Sequence, residues 1–133
     1  MTFVRFVVSR VHPDSATPEG VLGAAYDLSR DPDVSESDRS ALLAHLEWFE
    51  KHLLTPTRFN RSSSKGHYRR ATKGISWFRD SSTEHISRTR ELVPLLEAQG
   101  YSVTLIHEER VGYLVYEDSV QVVAEPFAET RTR

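Results

Sequence analysis

The segment from Glu36 to Leu54 constrains the fold more than any other part of the chain. Its apolar residues recur at spacings of four, three and four, which is the period of an α-helix, at Leu42, Leu46, Phe49 and Leu53. Ser35 can cap this helix, and Glu36 and Asp38 suit the positive end of the helix dipole. A helix with such a broad apolar face must bury it against another layer. We therefore predict that this helix is a main support of the core.

Segments rich in β-branched and aromatic residues lie on either side of this helix, and they predict a sheet. The first strand is expected at residues 3–11, with apolar residues on both faces. Further strands are expected at 74–79, where Trp77 and Phe78 are predicted core residues, and at 101–107, 113–116 and 119–124 as an antiparallel meander. Residues 1–133 are then a single α+β domain with one mixed, mostly antiparallel sheet of four to five strands. Three helices are expected to pack mainly on one face of that sheet.

Two further helices are predicted from the residues at their ends. Thr17-Pro18-Glu19 favours a helix start, because threonine caps, proline fits the first turn and glutamate suits the dipole. Ser81 and Glu84 match a capping box, so a third helix is expected from there to about residue 99. Pro94 falls inside this helix and predicts a kink, or a helix that ends and restarts.

Positive charge is concentrated between Lys51 and Arg79, a segment called here the basic stretch. It contains eight of the 17 Lys and Arg residues and no acid, whereas the rest of the chain has nine cations and all 19 acids. The formal net charge of −2 hides this asymmetry. Residues 55–73 show no hydrophobic period and contain Pro56, three serines and Gly66, so a basic loop is predicted there. Long loops inside compact domains tend to be functional or disordered.

Cations in this stretch alternate with aromatic residues, a pattern that suits nucleic acid. Arginines supply charge for phosphates, and the neighbouring Phe59 and Tyr68 supply rings for base stacking. The candidate residues for binding nucleic acid or another phosphate-bearing polyanion are Arg58, Phe59, Arg61, Lys65, Tyr68, Arg69, Arg70 and Lys73. The alternative is a solvated loop whose charge balances the acidic remainder. No RNA-binding sheet motif, helix-turn-helix or zinc finger accompanies the charge, and residues 62–67 depart from the P-loop pattern.

Two other functions stay open from the sequence. In the first, the protein is an interaction or regulatory module whose basic loop binds an acidic partner protein or a second copy in a homodimer. The β-hairpin predicted at 111–124 could serve as an exposed sheet edge, with Gln121 either bonding a partner or facing solvent. In the second, the protein is a metal-independent nuclease with His67 and His85 as general acid and base. A binding domain is favoured over an enzyme, because no serine hydrolase motif or other catalytic signature is present.

Composition removes several other classes of protein. The chain has no cysteine, which excludes a disulfide framework, thiolate zinc sites and a cysteine nucleophile. Its six histidines lack metal-ligand spacing, so no metal and no cofactor are expected. No apolar run approaches the ~18 residues of a membrane span, and the N-terminus lacks the features of a signal peptide. A cytoplasmic protein without a membrane partner, ending in a short flexible tail at 128–133, is the expectation.

Overall fold

A computed structural model of the chain describes residues 2–11, 18–57, 59–61, 64–69 and 74–130. The predicted α+β class is confirmed, because the described elements are eight strands and three helices. In chain order they are β1 (Phe3–Val11), β2 (Pro18–Gly20), α1 (Val21–Ser29), α2 (Glu36–His52), β3 (Phe59–Arg61), β4 (Ser64–Arg69), β5 (Ile75–Arg79), α3 (Thr83–Glu97), β6 (Val103–Glu108), β7 (Tyr113–Glu117) and β8 (Gln121–Glu125).

The main sheet has six strands, one more than the predicted maximum, and β1 is at its centre. Its path runs β2-β1-β5-β8-β7, and β6 also pairs with β1. Every pairing in this sheet is antiparallel.

The two edges of β1 are occupied differently. β6 pairs with β1 from Phe3 to Val8, so β5 and β2 must share the other edge of β1. β5 takes that edge at Phe3 and Val4, and β2 takes it at Val7 and Val11. Between these two pairings β1 and β5 diverge, and the sheet has a gap.

The sheet is buried on both faces. Val4, Phe6 and Val8 of β1 belong to one core cluster together with buried residues of all three helices. Val7 belongs to a second cluster, with Trp77 of β5 and strand residues from the rest of the sheet. Because successive strand residues point to opposite faces, the helices lie on one face of the sheet, as predicted. Trp77 is 1% exposed, which confirms its predicted place in the core.

The start of α1 differs from the prediction. Pro18–Gly20 form strand β2, and the helix begins at Val21 with Gly20 as its N-cap. No side chain caps this end, and the first turn carries no acid. Pairing of β2 with the end of β1 gives these backbone groups long-range partners, which outweigh the local preference for a helix start. Thr17, the predicted cap, lies outside the described residues.

The other two helices lie where the sequence places them, although one cap differs. Helix α2 is confirmed, and Ser35 Oγ accepts a hydrogen bond from the Asp38 N–H at 3.1 Å. Helix α3 runs through Pro94 without interruption. Of the two predicted alternatives the end and restart is therefore wrong, and the kink stays a prediction. The predicted capping box is also wrong, because the N-cap is Ser82 and makes no side-chain cap bond. Ser82 Oγ instead donates to the carbonyl of Val120 at 2.7 Å and holds α3 against the sheet.

The predicted three-strand meander at the C-terminal end is wrong. Strand β6 pairs with β1, whereas the β7–β8 hairpin joins the sheet through β5. Gly112, with φ +128°, lies in the connection between β6 and β7. Hydrophobic patterns predict the strands themselves but not their neighbours, because several strands of similar composition compete for each edge.

Candidate nucleic-acid interface

The segment predicted as a loop at 55–73 contains a two-stranded hairpin, β3–β4, called here the basic ribbon. It is a sheet of its own, separate from the main sheet. Phe59 pairs with Arg69 and Asn60 with Tyr68, and the register shifts before Arg61 pairs with Ser64. The loop prediction is therefore wrong over these residues. Strands of three and six residues, interrupted by serines and a glycine, are too short to produce a recognisable period.

The ribbon brings five of the predicted binding residues onto two paired strands. Phe59 and Arg61 lie on β3, and Lys65, Tyr68 and Arg69 lie on β4. The register places the aromatic position of Phe59 directly opposite the cationic position of Arg69. Antiparallel pairing brings such opposite positions within about 5 Å. Arg58, Arg70 and Lys73 fall outside the described residues, and the candidate acid–base residue His67 lies on β4.

A buried hydrogen bond fixes the chain where it leaves α2 and approaches the ribbon. Gln121 Nε2, at the start of β8, donates to the carbonyl of Leu54 at 2.7 Å. Gln121 is 3% exposed, so the expectation that it bonds a partner protein or faces solvent is wrong. Strand β3 of the ribbon lies beside β7, the neighbour of β8. The ribbon is therefore attached to the β7–β8 end of the main sheet.

The turn between β7 and β8 is organised by the carboxylate of Asp118. Asp118 Oδ1 accepts from the backbone N–H groups of Val120 and Gln121, at 2.8 and 3.0 Å. Asp118 Oδ2 accepts from the Tyr116 hydroxyl at 2.8 Å and from Gln121 Nε2 at 3.3 Å. Burial by itself raises the pKa of Asp118, but these hydrogen bonds outweigh burial and hold the pKa below its ordinary value. The same bond to Asp118 raises the pKa of Tyr116.

Among the side chains of the basic stretch that the structure describes, those of Lys51 and Arg79 are engaged by the protein itself. Lys51 Nζ lies 3.0 Å from Glu47 on α2. Arg79 Nη2 lies 3.6 Å from Glu117, and Arg79 Nε donates to the Asp118 carbonyl at 2.7 Å. Lys51 and Arg79 are the first and last residues of the stretch, on α2 and β5. These two ion pairs therefore lie outside the ribbon.

His85, the second candidate acid–base residue, has a structural role in this fold. Its Nε2 donates to the carbonyl of His52 at 2.7 Å, at the C-terminal end of α2. Its ring lies edge-on to Trp48 at 4.9 Å, and the ring of Phe78 is 6.0 Å away. These contacts connect α3 to α2 and give His85 a structural role, and its acid–base role stays a prediction. Within the described part of the chain, no group of three or more His, Asp or Glu side chains could hold a metal ion.

A cavity that the sequence does not reveal lies at the gap between β1 and β5. Its volume is about 230 Å³, and its walls come from the sheet, the start of α1 and the helices above. Arg5 lies at this gap, and its Nη1 donates to the Ser76 carbonyl at 2.8 Å. Burial lowers the pKa of Arg5 to about 10, so the guanidinium stays charged at neutral pH. The position of Arg5, an arginine within an apolar strand, is the one signal in the sequence that could have indicated this cavity.

Fold and site together define a small α+β domain with a basic hairpin attached to one end of its sheet. No protein-family model, curated protein or solved structure matches this chain. None of the described helices combines the length and the apolar character needed to cross a bilayer.

Proposed function

We propose that this protein is a binding domain that holds a polyanion, most favourably nucleic acid, on its basic ribbon. The observation that carries this proposal is the pairing of β3 with β4 inside the acid-free stretch. Arg61, Lys65 and Arg69 are thereby held on two adjacent strands instead of being spread along a loop. Arg58, Arg70 and Lys73 flank the same strands in the sequence.

A two-stranded ribbon has dimensions that suit nucleic acid. The major groove of B-DNA admits either a helix or a two-stranded antiparallel ribbon. Lysine and arginine along such a ribbon neutralise phosphates and release counterions, which drives binding of any sequence. Phe59 and Tyr68 also provide rings on which unpaired bases can stack. Duplex and single-stranded ligands are therefore both compatible with the ribbon, and comparison of their affinities is part of the test.

The charge of the rest of the chain favours contact through the ribbon alone. Outside the basic stretch the chain has nine cations and 19 acids, so this part repels a polyanion. A polyanion that approaches the molecule is oriented towards the ribbon by this asymmetry. A net charge of −2 would otherwise argue against binding nucleic acid.

Charge reversal at Arg69, the last residue of β4, and at the next residue in the sequence, Arg70, tests the proposal. Fluorescence anisotropy with labelled single-stranded and duplex oligonucleotides would compare the wild type with the double variant Arg69→Glu/Arg70→Glu. The matched control is Arg30→Glu/Arg110→Glu, which changes the net charge equally at two exposed arginines outside the stretch. We expect the ribbon variant to lose at least about tenfold in affinity with an unchanged melting temperature, and the control to lose far less. Equal affinities for the ribbon variant and the wild type would reject the proposal.

Exposed apolar side chains at the end of the sheet favour a second candidate function, association with another protein chain. Strand β7 ends the main sheet path, and on it Tyr113 is 55% exposed and Leu114 is 42% exposed. Exposed apolar side chains that lie together can form a contact with a second chain. Light scattering without nucleic acid distinguishes this contact from association through the ribbon. A dimer that survives high salt and is lost in Leu114→Glu supports association through β7, whereas a dimer dissolved by salt supports docking of the ribbon on the acidic surface of a second copy.

A further inference from the structure

The cavity between β1 and β5 has the size of a small-molecule site. Its volume of about 230 Å³ exceeds the roughly 150 Å³ of an engineered apolar cavity that binds benzene. Two exposed residues, Gly23 on α1 and Ser76 on β5, lie on its wall, so the cavity opens at the surface there. Most of the wall is apolar and comes from Val4, Phe6, Val21, Leu22, Leu53 and Phe78. A molecule with a single ring and one polar group therefore fits the cavity.

Trp77 lines this cavity and carries a hydrogen-bond donor, the indole N–H. Trp77 is 1% exposed, and its Nε1 is buried without a hydrogen-bond partner in the part of the chain that the structure describes. Thr89 and Gln121, buried polar side chains of the same wall, donate to the carbonyls of His85 and Leu54. Buried donors in folded proteins nearly always have an acceptor. A ligand that offers an acceptor oxygen would supply one for Trp77.

The first turn of α1 gives the same cavity a positive potential. Gly20, Val21, Leu22 and Gly23 line the cavity, and they are the N-cap and the first three residues of this nine-residue helix. The first N–H groups of a helix have no partner within the helix and point towards a ligand at its N-terminus. Gly20 has no side-chain oxygen to cap them, and the first turn carries no acid. An anion at this end of the cavity would therefore be stabilised.

The charge beside the start of α1 also favours an anion over a cation. Arg5 lines the cavity, and a Cβ built on Gly20 would lie 3.4 Å from Arg5 Nη2. The Arg5 guanidinium already donates to the Ser76 carbonyl and makes further interactions. It therefore contributes to the local potential without having to bond a ligand. An ammonium group in the cavity would meet this charge and the positive end of the helix dipole.

We propose that this cavity binds a small organic carboxylate with an apolar body, such as an aromatic acid with one ring. Its carboxylate lies at the N-terminus of α1, and one carboxylate oxygen accepts a hydrogen bond from Trp77 Nε1. The ring lies against the apolar wall, and its burial offsets part of the hydration that the anion loses. Benzoate has this chemistry. The site is independent of the basic ribbon, so its test does not depend on binding of a polyanion.

The indole N–H signals in a two-dimensional ¹H–¹⁵N spectrum of the whole protein provide the first test. The chain contains two tryptophans, and Trp48, whose ring stacks on His52, is the internal control. Benzoate is expected to shift the indole signal of Trp77 in a saturable manner and to leave that of Trp48 in place. Benzamide has a similar shape but no charge and should bind at least about fivefold more weakly, whereas the benzylammonium cation should not bind. Equal affinities for benzoate and benzamide would overturn the assignment of a carboxylate.

Two substitutions of Gly20 give a second measurement that leaves Trp77 unchanged. Gly20→Asp places a carboxylate of the protein itself at the N-cap, where it accepts from the N–H groups proposed for the ligand. The backbone of Gly20 has φ −75°, and the atoms nearest to an added Cβ belong to the end of the Arg5 side chain. The fold should therefore persist, with a melting temperature no lower than that of the wild type.

The matched control is Gly20→Ala, which adds the Cβ without the carboxylate. Gly20→Asp should lose at least about tenfold in benzoate affinity, whereas Gly20→Ala should lose less than about threefold. Equal benzoate affinities of the two variants would overturn the proposal. The absence of a saturable benzoate-dependent shift at the Trp77 indole would also overturn it.

Discussion

The side-chain amide of Gln121 donates a hydrogen bond to the backbone carbonyl of Leu54 at 2.7 Å, across 67 positions of the chain. Gln121 opens β8, and Leu54 lies between α2 and the basic ribbon. The same amide also lies 3.3 Å from Asp118, which organises the preceding turn. One buried side chain thus joins the edge hairpin of the sheet to the segment that leads into the ribbon.

Replacement of Gln121 by leucine should destabilise the fold. The variant loses the bonds to Leu54 and Asp118 but keeps a side chain of similar volume, so we expect a loss of about 1–3 kcal/mol in the free energy of unfolding. Urea denaturation measures this change. Gln99→Leu is the matched control and should stay within about 0.5 kcal/mol of the wild type, because Gln99 is exposed. Equal stabilities of the two variants would show that the Gln121 bonds contribute nothing.

Asp118 should make the stability of the protein depend on acidic pH. Because hydrogen bonds hold its pKa below the ordinary value of 3.8, the folded state binds the proton less readily than the unfolded state. Its contribution is therefore fully present at neutral pH and is lost as the pH falls through 3.8 towards the lower folded value.

Denaturation at several pH values tests this dependence through two variants. In Asp118→Asn the acid-induced loss of stability should be smaller than in the wild type, because the carboxylate is absent. Tyr116→Phe removes one of the hydrogen bonds that lower the pKa and should give an intermediate slope. A wild-type slope in Asp118→Asn would contradict the assignment.

Alanine substitutions at the two glycines with positive φ, Gly100 and Gly112, should distinguish the cost of backbone strain from the cost of a steric clash. A Cβ on Gly112, with φ +128°, would lie 2.1 Å from the Glu125 carbonyl oxygen. A Cβ on Gly100, with φ +93°, would meet nothing within 4 Å. Gly100→Ala should therefore cost about 1 kcal/mol from strain alone, whereas Gly112→Ala should cost clearly more, about 3 kcal/mol or above. Thermal and urea unfolding of both variants check the order, and a reversed order would contradict the description of the β6–β7 connection.

The elements that could be predicted are those whose residues determine their own structure. Helix α2 has a broad apolar face and a capping serine, and β1 is a long run of β-branched and aromatic residues. Elements that depend on distant partners could not be predicted. Pro18–Gly20 has the local chemistry of a helix start and becomes a strand only because the end of β1 is available for pairing.

The candidate site could be predicted in part for the same physical reason. Charge is a property of sequence, so the concentration of cations between Lys51 and Arg79 is visible without a structure. The pairing that makes a ribbon of β3 and β4 depends on backbone register, which no pattern in this segment reveals. The cavity could not be predicted at all, because the divergence of β1 and β5 creates it. The hydrogen-bond partner of Gln121, which lines the cavity, is also 67 positions away in the sequence.

The salt dependence of oligonucleotide binding tests the central claim most directly. If the ribbon and its flanking cations neutralise about six phosphates, the logarithm of the association constant for duplex DNA should fall with the logarithm of salt concentration with a slope of about −5. In Arg69→Glu/Arg70→Glu the slope should be smaller in magnitude by about 2, and in Arg30→Glu/Arg110→Glu it should remain that of the wild type. Identical slopes for the two double variants, or no binding by the wild type at low salt, would contradict the claim that the basic ribbon holds a polyanion.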